Sequence, residues 1–284
     1  MTGKPNVDME EFWNGEGGLK WVSLDERLDE SLKPFGAEAM RVAKVATNAR
    51  VLDVGCGCGD TSLDLARRVG PEGYVHGLDI STTVLELAQK KARASGLTNI
   101  AFECADAQTQ VFRGGEYDLV FSRFGVMFFD DAVAAFKNIR TALKPDGHLA
   151  FACWAAPQEN PWVQVPLQIV ARHLPLPPPV AADTPGPFSL SGEGRASGVL
   201  TSAGFTDVTV TAFCAPFVVG KDVAEAVRFL MQLGPAAGAL AKAEPSVETR
   251  ALIATEIGEM LKGFNTAQGI CLDGVALIVT ARTP

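Results

Sequence analysis

Several short stretches of this chain carry residue types that chemistry needs, and each sits where an apolar run stops. The first is Asp53-Val54-Gly55-Cys56-Gly57-Cys58-Gly59-Asp60, with three glycines at alternate positions after a carboxylate. Glycine is needed where a chain turns sharply or brings its backbone against a ligand. The stretch predicts a strand, a tight loop and a helix start, an arrangement that suits a nucleotide. A dinucleotide fingerprint places its third glycine one residue later, at position 60, and this chain has Asp60 there. That carboxylate is expected to cap the helix and deter a phosphate from its partly positive end. A cationic ligand without phosphate fits better.

The second stretch, Gly77-Leu78-Asp79-Ile80-Ser81, puts Asp79 twenty residues after Gly59. That is about the spacing at which a carboxylate accepts from both hydroxyls of a ribose, whether the nucleoside belongs to NAD or to another cofactor. In Cys104-Ala105-Asp106-Ala107, Asp106 offers an acceptor to an adenine amine and Ala107 an N–H to a ring nitrogen. Asp106 reads equally as a loop cap. Ser122-Arg123 ends a fourth apolar run, where a charge is costly unless paired or functional. Arg123 either anchors an anionic acceptor or bridges to Asp130 or Asp131.

His173, among prolines, is the candidate general base, weighed against an ordinary surface histidine; His76 and His148 sit in expected strands and read as structural. Trp21 and Trp13 either stack on adenine or an aromatic acceptor, or pack an amphipathic helix onto a sheet. Met127, Phe128 and Phe129 read as core or as an apolar pocket wall. Cys56 and Cys58 have no second cysteine pair or nearby histidine, and Asp130-Asp131 opens a helix where acids are favoured anyway, so no metal site is expected.

These residues need elements to position them. Apolar runs predict strands near 50–54, 74–79, 100–104, 117–122 and 147–153, and later near 207–213 and 271–281. Apolar spacing of three and four predicts helices near 60–69, 82–95 and 131–143, a short one over 163–173, and further ones near 193–203, 221–233 and 246–263. Strand–helix alternation of this kind argues for a doubly wound α/β sheet. The expected organisation is a single domain: residues 1–48 a helical N-terminal lid, 49–154 a cofactor-binding core, 155–190 a proline-rich insertion over the active site, and 191–284 the C-terminal half of the sheet.

Composition narrows the partners. With 25 basic and 33 acidic residues the net charge is -8, a field that repels phosphate backbones and anionic lipid heads, so neither nucleic acid nor membrane is expected. No stretch approaches the ~20 apolar residues of a membrane span, and the N-terminus lacks a signal-peptide pattern. Six scattered cysteines are too few for a disulfide scaffold, which points to a reducing cytoplasm. The oligomeric state is not legible.

With these residues in place, the chain resembles the class I S-adenosylmethionine-dependent methyltransferases. The segments DVGCGCG, GLDIS, ADA, YDLVFSRFGVMFF and LKPDGHLAF stand in that family's order and spacing across residues 50–153. FGVMFF before an acidic helix start looks closest to the type 11, ubiquinone/menaquinone C-methyltransferase-like branch. The resemblance implies a seven-stranded, mostly parallel sheet whose last strand, 271–281, is antiparallel. It implies that Asp53, Gly55, Cys56, Gly57 and Gly59 line the methionine end of the cofactor, Asp79 and Ile80 the ribose, and Asp106 and Ala107 the adenine. Ser122 and Arg123 would face the transferring methyl.

The activity so implied is in-line methyl transfer from S-adenosylmethionine to carbon, oxygen or nitrogen of a small apolar or aromatic acceptor. The alternatives are an enzyme or binding protein that keeps the cofactor without methylating, and an NAD-dependent oxidoreductase, which Asp60 disfavours. A nucleic-acid amino-methyltransferase would carry an Asn- or Asp-Pro-Pro-aromatic motif where this chain has Ser122-Arg123-Phe124-Gly125.

Overall fold

The structure, a computed structural model, describes residues 4–178, 181 and 183–284. Five apolar runs form parallel strands: β1 (Arg50–Val54), β2 (Tyr74–Asp79), β3 (Ile100–Cys104), β4 (Tyr117–Arg123) and β5 (Leu143–Trp154). After them come β6 (Thr206–Gly220), the two-residue β7 (Asn265–Thr266) and β8 (Gly269–Arg282). Residues 51–54 of β1 are all buried, as are 119–122 of β4. A strand buried on both faces has no polar side to alternate with, which is why these read as unbroken apolar runs.

The strand order is β3-β2-β1-β4-β5-β8-β6, with β7 paired to the start of β8. β8 runs antiparallel to both β5 and β6. The sheet is therefore the expected seven-stranded one with its last strand reversed, plus a two-residue addition. The chain moves outward from β1 in both directions, to β2 and β3 on one side and to β4 and β5 on the other. Loops at the carboxyl ends of β1 and β4 then leave in opposite directions and open a crevice between them. The register Val51↔Leu119 and Asp53↔Phe121 brings those two ends level.

The helices are α1 (Val7–Asn14), α2 (Glu16–Ser23), α3 (Asp25–Ala43), α4 (Asp60–Val69), α5 (Thr82–Ser95), α6 (Ala132–Ala142), α7 (Pro161–His173), α8 (Glu193–Ser202), α9 (Val223–Leu230), α10 (Gly234–Ala243) and α11 (Val247–Leu261). Four begin with a side-chain cap that accepts from the third amide onward: Ser81, Asp131, Asp222 and Ser246, each contributing ~1 kcal/mol. α4 departs from the expectation. Its cap position is Gly59, in the left-handed region at φ 86, and no side chain caps it. Asp60 is already helical, and its carboxylate is drawn instead to Lys91 Nζ at 2.7 Å.

Two further differences have local causes. β6 runs on to Gly220, past Pro216; it is the edge strand and pairs with β8 alone among the described strands, the place in a sheet where proline is tolerated. α10 begins at Gly234-Pro235, a dipeptide that reads as a turn, yet proline is well tolerated in a first helical turn.

One cluster of buried apolar side chains runs from Leu28 to Ala281. α3 lies across β5, β6 and β8, with Phe35 wholly buried against Phe124, Trp154 and Phe213. The proline-rich segment 155–190 buries Trp162, Val163, Ile169 and Val170 of α7 against α10, α11 and β8; its Pro179, Val180 and Ala182 lie outside the described residues. Among the described residues no helix is long and apolar enough to cross a membrane.

Candidate active site

The glycine loop after β1 forms the floor of the site. Gly55, Gly57 and Gly59 all have positive φ, at 66, 54 and 86, a conformation that side chains resist. The loop folds back so that Gly55 N and Cys56 N both donate to Leu78 O. A Cβ on Gly55 would lie 2.6 Å from Gly125 Cα, so the ends of β1 and β4 touch through bare backbone. Above the loop, the Trp21 indole nitrogen lies 3.6 Å from where a Gly57 Cβ would stand. Between floor and roof lies a cavity.

The acidic ends of β2 and β3 supply its acceptors. Asp79 lines the cavity, its Oδ2 accepting from Gly57 N at 2.8 Å and its Oδ1 from Ser81 N at 3.0 Å. Removal from water raises its carboxyl above the usual range, against the pull of these N–H donors. Its remaining lone pairs are free for hydroxyl donors. Asp106 also lines the cavity and does cap its loop: Oδ1 accepts from Gln108 N at 2.9 Å and Oδ2 from Thr109 Oγ1 at 3.1 Å. Both readings of Asp106 are thus compatible. Ile80, Ala107 and Trp21 complete the walls on this side.

The apolar part is aromatic. Phe124, Phe128 and Phe129 follow β4 into the cavity, and Trp13 packs edge-on against both Phe128 and Trp21 at 5.3 and 5.5 Å. Phe124 sits in the left-handed region at φ 62, costly for a bulky residue. It is held there by its N–H to Ala152 O at 2.9 Å and by its ring stacked on Trp154 at 4.3 Å. Met127 turns the other way, into the core, where its sulfur accepts from Trp154 N.

Arg123 stands between this cavity and a smaller hollow under α2 and α3. Its stem packs on Gly36, where a Cβ would come within 2.8 Å of Arg123 Cδ. Its Nη1 donates to Asp29 Oδ1 at 2.8 Å, not to Asp130 or Asp131. Asp130 accepts from Asn6 N, and Asp131 caps α6. Asp25 and Asp60 share Lys91 in the wall of the hollow. Burial, helped by Asp29 and Asp25, holds the Asp60 carboxyl above its usual value against the pull of Lys91. The hollow is therefore acidic, with one guanidinium at its mouth.

Beneath the loop, Asp53 is fully buried. Its Oδ2 accepts from Thr61 and Ser62 at 2.8 and 2.6 Å, while Oδ1 has no partner. Burial pushes its carboxyl up to about 6, against the pull of those two hydroxyls. Asp53 lines neither the cavity nor the hollow, so contrary to the expectation it holds the start of α4 through Thr61 and Ser62 and does not itself meet a ligand. In the unliganded protein the folded state binds this proton more tightly than the unfolded chain does. The group's stabilising contribution is therefore full below about pH 4 and is lost as pH rises towards 6. At ~1.4 kcal/mol per unit, wild type is expected to lose about 2–3 kcal/mol from this group between pH 4 and 7. Denaturant unfolding of Asp53→Asn across that range should show a flatter profile, and an unchanged slope would clear Asp53 of the effect.

The remaining expected residues lie elsewhere. Cys56 points into a separate cluster with Leu85, Ala88 and Phe102. Gly59 is bare because a Cβ would meet Ala88 Cβ at 2.9 Å, a matter of helix packing. Ser122 is buried behind the turn, accepting from Gly125 N at 3.2 Å. His173 faces α11, its Nε2 2.9 Å from Glu256 Oε1, and does not line the cavity. No described residue of 155–190 lines it, because the apolar face of α7 is taken by β8, α10 and α11. The roof is instead made by α1 and α2. His76 has a structural role between Tyr117 and Glu103. Among the described residues no group of His, Cys, Asp and Glu is arranged to hold a metal.

Sequence reasoning missed Asn6, Met9 and Gly125 in the cavity wall and Asp25 and Asp29 in the hollow. Only Gly125 had a usable signal, a glycine directly after an apolar strand. Asp25 and Asp29 look like ordinary acids in a first helical turn, and Asn6 like part of a terminus.

Residues 51–147 match the family described as a methyltransferase domain. The chain is 38% identical over 122 residues to the aklanonic acid methyltransferase DauC of Streptomyces sp. (strain C5), covering 43% of this chain and 56% of that one. It is 33% identical over 128 residues to a demethylmenaquinone methyltransferase of Listeria monocytogenes, covering 45% and 54%. The chain thus spans about half the length of these curated relatives. In fold it is similar to the YcgJ protein of Bacillus subtilis, with a TM-score of 0.58 at 16% identity, over 89% of this chain and 98% of that one.

Proposed function

We propose that this chain, whose core is a class I S-adenosylmethionine-dependent methyltransferase domain, methylates a small, planar, largely apolar acceptor that is anionic at working pH. The observation that carries this reading is one cavity in which two carboxylates at strand ends, Asp79 and Asp106, meet an aromatic wall and Arg123, the one cation among the described lining residues. Relatives named for aklanonic acid and demethylmenaquinone support a small-molecule acceptor.

The residues present fit the cofactor. Asp79 would accept from vicinal ribose hydroxyls, Asp106 from the adenine amine, and the Ala107 N–H would serve a ring nitrogen, since all three line the cavity. The acidic hollow favours positive charge, and among the described residues lining the cavity and the hollow Arg123 is the one cation, too few to meet a pyrophosphate. When bound, S-adenosylmethionine supplies a methyl already activated on positive sulfur. The protein's part is to hold the acceptor in line and keep water out, which Trp13, Phe124 and Phe128 do by closing the cavity with apolar surface.

Among the described lining residues the titratable side chains are Asp79, Asp106 and Arg123, and in this reading both carboxylates are taken up by the nucleoside. That leaves no free general base on the wall. An acceptor whose own proton is lost near neutrality, such as an acidic phenol or an enolised dicarbonyl, needs none. Arg123 keeps N–H donors beyond the one given to Asp29 and steadies such an anion.

Calorimetry with S-adenosylmethionine, S-adenosylhomocysteine and NAD tests the first half. The two sulfur nucleosides are expected to bind in the micromolar range and NAD not measurably. Binding of NAD alone would overturn the reading. Transfer of labelled methyl to a panel of acidic phenols and enols, compared with neutral analogues, tests the second half. Uptake by neutral alcohols or amines alone would remove the anionic-acceptor claim. Binding of the sulfonium cofactor with no methyl transfer to any acceptor would favour a cofactor-retaining, non-methylating protein.

A further inference from the structure

We propose that Asn6 is a positioning residue that latches α1 shut over the adenine end of the cavity and so sets how fast the bound nucleoside leaves. The ligand's identity rests on the function proposed above; the latch itself rests on the contacts.

Asn6 is the residue before α1, where an asparagine ordinarily turns its side chain back to accept from its own helix. Here it makes no such bond. It is 2% exposed, in the left-handed region at φ 58, and spends its carboxamide across the chain. Nδ2 donates to Asp106 Oδ1 at 2.9 Å and to Gln108 Oε1 at 3.2 Å, and Oδ1 accepts from Asp130 N at 2.7 Å. The Asn6 backbone N–H donates to Asp130 Oδ2. One side chain thus ties the N-terminal segment to the loops that leave β3 and β4.

Apart from Trp13, which packs on Trp21 and Phe128, this helix has little apolar anchorage. No residue of α1 is buried, and Val7 and Phe12 are 39% and 51% exposed. The far end is pinned by polar contacts too: Asn14 accepts from Thr82 N at 2.9 Å, and Trp13 O accepts from Ser81 Oγ at 2.6 Å. α1 is a strap with a polar pin at each end, crossing a cavity walled by Asp79, Ile80 and Asp106. A segment held by a few hydrogen bonds and little buried area opens locally, well below the cost of global unfolding.

The Asn6 pin shares its carboxylate with the ligand. Asp106 Oδ1 takes Asn6 and Gln108 N, and among the described residues Oδ2 takes Thr109 Oγ1 alone. A carboxylate has about four acceptor positions, so an adenine amine fits on Oδ2 while the latch stays closed. Latch and ligand therefore support each other instead of competing.

The test uses the full chain and two readouts. Hydrogen exchange in the free protein should be faster over residues 7–14 in Asn6→Ala than in wild type, with β1 unchanged. Asn6→Asp, which faces Asp106 and Asp130 with a like charge, should show the larger change. Stopped-flow dissociation of S-adenosylhomocysteine, followed by tryptophan fluorescence, should be about tenfold faster in Asn6→Ala. Unchanged exchange overturns the latch. Faster exchange with an unchanged dissociation rate overturns its control of release, and tighter binding in Asn6→Ala shows competition in place of support. Failure of wild type to bind the nucleoside overturns the functional reading instead, while the exchange data still decide the latch.

Discussion

Asp79→Ala is expected to reduce affinity for S-adenosylmethionine and S-adenosylhomocysteine by about 10²–10³-fold. Two hydrogen bonds from ribose hydroxyls to a charged acceptor are worth ~1.5–3 kcal/mol each, and every ~1.4 kcal/mol is tenfold in affinity. A second loss compounds the first. Asp79 also holds Gly57 N and Ser81 N, so alanine frees the glycine loop that forms the cavity floor. Asp79→Asn keeps one acceptor oxygen and should fall between the two, at about tenfold. Calorimetry on all three proteins reads the series, with thermal unfolding run alongside to confirm that each is folded. If alanine costs less than about fivefold, Asp79 has no part in holding the nucleoside.

The second large effect is on stability, and it follows from the absence of a side chain. Gly125→Ala would place a Cβ 2.7 Å from both Gly55 Cα and Val54 O. All of these are backbone atoms, so no rotamer change relieves the clash, and the ends of β1 and β4 must separate. The turn cannot yield easily, because Phe124 just before it is held by Ala152 O and by the Trp154 ring. Overpacking of this kind costs ~1–3 kcal/mol, and more where backbone must move. We expect a loss of about 3 kcal/mol in denaturant unfolding, together with weakened cofactor binding. Gly198→Ala is the control. It lies within α8 with nothing within 4 Å of the new methyl, and is expected to be neutral or to stabilise by ~0.5–1 kcal/mol. Equal behaviour of the two variants would refute the close approach of the strands.

Both predictions concern residues at the ends of strands, and most of this edge of the sheet, though not Gly125, was legible before the fold was known. The glycine loop, Asp79, Ile80, Asp106 and Ala107 sit where short-range pattern dictates. A strand has to stop, a loop has to turn, and a helix has to begin within a few residues of one another. Once strand and helix alternate, parallel pairing puts every such loop at one edge of the sheet. Local rules thus carried these residues to a common place.

Long side chains follow no such rule. Arg123 meets Asp29 from 94 residues away, where sequence reasoning looked only as far as Asp130 and Asp131. His173 turns to Glu256, 83 residues on, because the apolar face of its helix is claimed by β8, α10 and α11. Asp60 was read as a cap, and it binds Lys91 because Gly59 already fills the cap position.

What the amino-acid order determined by itself was therefore the sheet, the loops at its carboxyl edge and the kind of ligand proposed for them. All three depend on periodicity and on backbone conformation within a few residues. The tertiary structure alone decided which segment roofs the cavity, which acid neutralises Arg123, and that Asn6 reaches Asp106 exactly one hundred residues away. Such contacts depend on how whole elements cross, and the free energy that selects a crossing is spread over the buried surface of many residues, not written at the positions that meet.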